Sequence, residues 1–168
     1  MRIFCALMAA LCLASCRSKN SASTEPAQRM EGVRLSEQTL GRPAWRLKAR
    51  QASLERGDSM ALLSQPKIQF FENGREVSEA CADSARIDTA NDDVTLSSGV
   101  VVRSLKDSTT LRTESLHYSS ARKRFFSDQD VLVRRPGGIM RGRGLEASAD
   151  LSDIRVFRQR TRLKRAPR

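Results

Sequence analysis

A β unit recurs along this chain with a period of about 30 residues. In each copy a polar, turn-flanked segment leads to a β-branched one. Ala49 to Leu54 leads to Gln65 to Phe70, and Ala82 to Ile87 leads to Ser98 to Val102. Thr113 to Tyr118 leads to Asp130 to Arg134, and Gly142 to Ala147 leads to Ile154 to Phe157. One such unit cannot bury its apolar side alone, so the copies must stack on one another. The expected body is elongated, all-β and open at its ends, a shape that suits binding better than chemistry.

Turn signals punctuate the units. Glu72-Asn73-Gly74, Asn91-Asp92-Asp93 and Pro136-Gly137-Gly138 separate short β-prone runs. Asn73-Gly74 favours a two-residue hairpin, because both central residues of a type I′ turn need positive φ. The spacing predicts roughly eleven to fifteen strands and no long helix. Trp45, Leu47 and Ala49 alternate with polar residues and mark the first half-buried strand.

The ends read differently. Arg2 precedes twelve apolar residues from Ile3 to Ala14, fewer than the ~20 a membrane-spanning helix needs. The run closes on Leu13-Ala14-Ser15-Cys16, small residues that suit signal-peptide cleavage and resemble a bacterial lipobox. Residues 1–15 are therefore expected to be a signal peptide and Cys16 a lipidated first residue. Residues 16–41 read as a tether rich in Ser, Ala, Gln and Glu, with no sustained period. The β domain is expected over residues 42–164, with residues 165–168 as a tail. Cys81 then stands alone, with no disulfide partner and no metal-ligand spacing, and reads as a small buried strand residue.

Catalytic and cofactor motifs are missing. His117 is the single histidine, and neither a nucleophile elbow, a P-loop nor a dinucleotide fingerprint occurs. No cofactor, metal or enzymatic activity is expected. The formal charge is +11. In an exported protein this points to anionic head groups or phosphates rather than nucleic acid, since the aromatic-interleaved basic surfaces that stack bases are missing. Near the C-terminus, Arg158, Arg160, Arg162 and Lys164 fall on alternate positions. A strand from Ile154 to Lys164 would line them on one face. That edge either protects against aggregation or docks a partner, and the two roles are compatible.

Trp45 to Ala49, Gln65 to Phe71, Ala82 to Ile87, Ser98 to Val102 and Met140 to Ala147, taken in order and spacing, resemble the LptC family. The resemblance covers about residues 45 to 163. It implies a twisted β-jellyroll of the OstA/LptA-like kind, an open slit between two antiparallel sheets. It also implies a periplasmic part of lipopolysaccharide export. Such a protein receives lipid from an inner-membrane ABC transporter complex and hands it to a soluble bridge protein of the same fold. Family members usually carry an N-terminal transmembrane helix, which a lipoprotein signal replaces here. The lipid anchor is expected in the inner membrane on the family role, although Arg17 after Cys16 leaves the outer membrane open.

Acyl chains need apolar replacement contact worth ~0.8 kcal/mol per methylene, which a slit can offer and a flat surface cannot. Strand alternation makes Leu63, Leu96, Val100, Val102, Val131 and Val133 candidates for its lining. Ile68, Phe70, Ser98 and Ala149 join them. Any one of these either lines the slit or packs a closed core. The competing readings are a non-catalytic scaffold lipoprotein that recruits partners by β-strand augmentation, and an assembly domain of the same fold in an outer-membrane complex.

Overall fold

The computed structural model describes residues 28–54 and 59–159. The expected signal peptide, residues 16–27 of the expected tether with Cys16, and Arg160, Arg162 and Lys164 lie outside the described residues. The chain runs through β1 (Gln28–Thr39), β2 (Arg42–Leu54), β3 (Met60–Ser64), β4 (Lys67–Glu72), β5 (Arg75–Cys81) and β6 (Ser84–Asp88). It continues through β7 (Asp93–Ser104), β8 (Thr110–Ser119), β9 (Arg124–Arg135), β10 (Gly138–Ser148) and β11 (Ile154–Val156). All pairings are antiparallel, and no helix forms among the described residues.

The two sheets expected from the sequence form as two leaves of one continuous, creased sheet. β2 pairs with β4 through Trp45 to Lys48 and with β3 through Gln51 to Leu54. β7 pairs with β6 through Asp93 to Ser97 and with β5 through Val101 to Ser104. Long strands thus pass from an upper leaf, holding β3 and β6, to a lower leaf, holding β4 and β5. The crease is marked by register shifts at Ser97/Val100, Thr113/His117 and Arg143/Leu145. Ser98, Gly99 and Gly144 all have positive φ there. Where the β8–β9 ladder lapses, Thr113 Oγ1 donates to the Asp130 carbonyl at 3.0 Å and Ser127 Oγ donates to the Ser115 carbonyl at 2.8 Å. These side chains satisfy backbone groups that the bulge leaves without a ladder partner.

The repeat seen in the sequence is this alternation between leaves. The polar segments of the four units reach the upper leaf at Gln51, Ser84, Ser115 and Leu145. The β-branched segments of the first three lie in the lower leaf as β4 and the C-terminal parts of β7 and β9. The fourth departs from the pattern: β11 pairs with Leu145 to Ala147 and stays in the upper leaf.

Two expectations are corrected. Residues 28–39, read as tether, form β1, which pairs along nearly all of β2. Its side chains are mostly exposed, so the backbone ladder holds it and no apolar period betrays it. The C-terminal strand ends at Val156 rather than running on. Arg158 sits in the left-handed region at φ 45, outside any ladder pairing, so the extended run stops before it. By contrast, Asn73 (φ 51) and Gly74 (φ 77) make the expected two-residue hairpin between β4 and β5.

Candidate functional site: the interior between the leaves and its mouth

Inward residues of both leaves merge into one apolar cluster. Leu63, Ile68, Phe70, Leu96, Val100, Val102, Val131 and Val133 all belong to it, each 4 % exposed or less. The leaves are therefore in contact along their inner faces. Phe70 of the lower leaf packs tilted against Tyr118 and edge-to-face against Phe125 of the upper leaf, at centroid distances of 4.7 and 5.1 Å. Burial, together with the charges of Glu37 and Asp93, pushes the Tyr118 hydroxyl well above its ordinary pKa, so the cluster stays neutral. Ser98 shares the phase of Leu96 and Val100 but is exposed, because the bulge lifts it out of the interior.

The contact opens at a mouth. A cavity of about 610 Å³ lies where the β1–β2, β4–β5 and β8–β9 turns and the segment after β10 converge. Ala44, Val77, Tyr118 and Ala149 supply its apolar lining, while Arg42, Glu72, Lys123 and Asp150 bring charge to it. Ala149 is the one predicted lining residue at this mouth. The rest of the mouth was not legible, since it is assembled from four turns distant in sequence.

A polar latch closes the leaves beside the mouth. Lys106 Nζ, in the β7–β8 turn, donates to Glu72 Oε2 and to Asp150 Oδ2, both at 2.7 Å. Ser78 Oγ of β5 donates to the Ala149 carbonyl across the gap. Burial opposes the charge on Asp150, but donors from Lys106, Ser148 and Ser152 outweigh it and hold the carboxyl well below the usual carboxylate range. The same two carboxylates raise the Lys106 ammonium above its ordinary value. The only sequence signal for this latch was the Ser148-Ala149-Asp150-Leu151-Ser152-Asp153 turn composition.

Two further titratable groups lie outside the interior. His117 faces outward, with Nδ1 3.2 Å from Thr95 Oγ1 and Nε2 3.6 Å from Asp93 Oδ2. Cys81 is half-buried on an outward face rather than in the core. Burial, reinforced by Glu79, pushes its thiol up. No metal-holding cluster forms among the described residues, and none of their helices could cross a membrane, because there are none.

The family described as Lipopolysaccharide-assembly, LptC-related matches residues 3–163. The chain belongs to the LptC family. Membership assigns this LptC-family protein a role in lipopolysaccharide transport in the periplasmic envelope, as a transport component. No curated protein matches the chain. The sequence expectation of an all-β, jellyroll-like LptC fold agrees with the creased antiparallel sheet.

Proposed function

We propose that this LptC-family protein carries lipopolysaccharide with its acyl chains held between the two leaves. It would take the lipid from the inner-membrane ABC transporter complex and pass it to a soluble bridge protein of the same fold. Cys16 would carry the lipid anchor that keeps it at the inner membrane. The observation that carries this reading is the mouth, whose apolar lining at Val77, Tyr118 and Ala149 leads directly into the shared apolar interior. With the leaves in contact, acyl chains must replace leaf-to-leaf packing. That exchange is nearly balanced, since apolar surface is buried before and after. Opening then costs chiefly the latch at Lys106, Asp150 and Ser78.

The free edges support handover. Gly138 to Arg143 of β10 pairs with β9 on one side, while β11 and the Phe157 that follows it cover Gly142 to Ala147 on the other, which leaves Gly138 to Arg141 as open edge. β1 pairs with β2 alone, so its other edge is free of any strand among the described residues. Edges at both ends allow like domains to extend the sheet. With β11 so short, the docking edge assigned to Arg158, Arg160, Arg162 and Lys164 is better sought along Gly138 to Arg141.

Photo-crosslinking side chains at Val77, Val131 and Ala149 should capture lipopolysaccharide, and one at the outward Arg86 should not. Equal capture at all four would refute the interior route. A second reading, a scaffold that only recruits partners, is favoured by the closely packed interior. It predicts capture at none of the three inward sites together with intact partner binding.

A further inference from the structure

The two leaves carry very different charge on their outward faces. The ladder registers align two outward rows across the lower leaf. Through β1, β2 and β4 they hold Arg34, Arg46, Lys48 and Lys67. Through β7, β8, β9 and β10 they hold Arg103, Arg112, Arg134 and Arg141. All eight cations are exposed, and Glu79 is the one carboxylate in these rows. It pairs with Lys67 at 2.7 Å. None of the other seven forms an ion pair among the described residues. The two corresponding rows of the upper leaf hold Arg29, Arg86 and Arg155 against Glu31 and Glu146. The contrast is therefore a property of one face and not of the basic composition as a whole.

We infer that the outward face of the lower leaf, centred on Arg103, Arg112, Arg134 and Arg141, docks on an anionic phospholipid bilayer. Neighbouring strands rotate by about 20–25°, so eight strands cannot lie on one plane. The four strands β7 to β10 span about 14 Å and can face a surface together. Four of the eight positions in their two rows are arginine. Of the others, Val101 and Leu132 are half-buried and Ile139 is 54 % exposed, so apolar side chains stand among the arginines. This mixture suits the headgroup boundary, where guanidinium groups bind phosphates and apolar side chains reach the acyl region. Beside it lies an open groove of about 2020 Å³, lined by Arg112, Leu132, Ile139, Arg141, Arg143 and Arg158 along with the carboxylates Glu114 and Asp130. Fluid headgroups can follow such a twisted, concave surface, whereas a rigid acidic protein would need a matching convex one. The inference is independent of lipid carriage between the leaves, because these side chains point away from the interior.

The test is partition of the full-length protein onto vesicles of phosphatidylcholine alone and onto vesicles with equal parts phosphatidylglycerol. The ratio of the two partition coefficients removes any contribution from a lipid anchor. Each cation near an anionic surface adds about fivefold, falling with salt. The ratio for the wild type should be large and salt-sensitive. Replacing Arg103, Arg112, Arg134 and Arg141 by Gln should cut it at least tenfold. Replacing Arg29, Arg86 and Arg155 by Gln should leave it within about threefold, with folding of both variants checked by near-ultraviolet circular dichroism. Equal losses in the two variants would reduce the effect to general charge and overturn the inference. A ratio near one for the wild type, with binding of polyglutamate lost in the four-arginine variant, would overturn it in favour of an acidic protein partner.

Discussion

At the scale of single residues, two positions carry more than their size suggests. Gly142 lies under the chain's return: a Cβ there would sit 2.6 Å from both the Phe157 carbonyl oxygen and Val156 Cγ1. One of these contacts is backbone, so relief requires β11 to move. Gly142→Ala should destabilise the protein by about 1–3 kcal/mol, measured by denaturant unfolding, and should raise amide exchange in β11 before the rest of the sheet. Phe70 joins the leaves through Tyr118 and Phe125. Phe70→Ala should cost about 3–5 kcal/mol by the same measurement, the range for a buried aromatic truncated to leave a cavity. The inward identity of Phe70 was legible from alternation alone. That of Ser98 was misread, since a bulge keeps the sequence phase while lifting the side chain out. Gly142's role was not legible, because nothing local records a segment fourteen residues later passing over it.

Elements show which physical signals survive in a sequence and which do not. β2 announces itself because Trp45, Leu47 and Ala49 are buried on one side, and the β4–β5 hairpin because Asn73 and Gly74 must take positive φ. β1 leaves no such trace, being held by its ladder to β2 with its side chains in water. The alternating pattern predicts a strand running on from Ile154, yet the chain turns at Arg158. The latch is equally hidden, since Lys106, Glu72 and Asp150 meet only when the leaves close. Its pH dependence follows from the depressed Asp150 carboxyl. The stabilisation is fully present above the unfolded carboxylate value of about 4 and is lost as pH falls from there through the lower folded value. Wild type should exceed Asp150→Asn in stability at neutral pH. The gap should shrink steadily below about pH 4, read from denaturant midpoints at each pH. A gap constant with pH would mean that Asp150 contributes through its shape and not its charge.

At the scale of the whole molecule, the described residues form a sheet folded across its middle. Its crease is built from bulges, its interior is shared by both leaves, and its mouth is formed by turns. The repeat foretold the alternation of leaves and thereby the fold, while the mouth and the latch are properties of the closed body and of no single segment. If lipopolysaccharide acyl chains lodge between the leaves, the rims of the mouth must part when lipid binds. Arg75 and Arg122 are exposed and stand near opposite rims, beside the β4–β5 and β8–β9 turns. Spin labels at these two positions in a Cys81→Ser background report the separation by double electron–electron resonance. Adding lipopolysaccharide should lengthen and broaden the distance distribution, and Asp150→Asn should shift it the same way at lower lipid concentration. An unchanged distribution with lipopolysaccharide demonstrably bound would contradict acyl-chain carriage between the leaves.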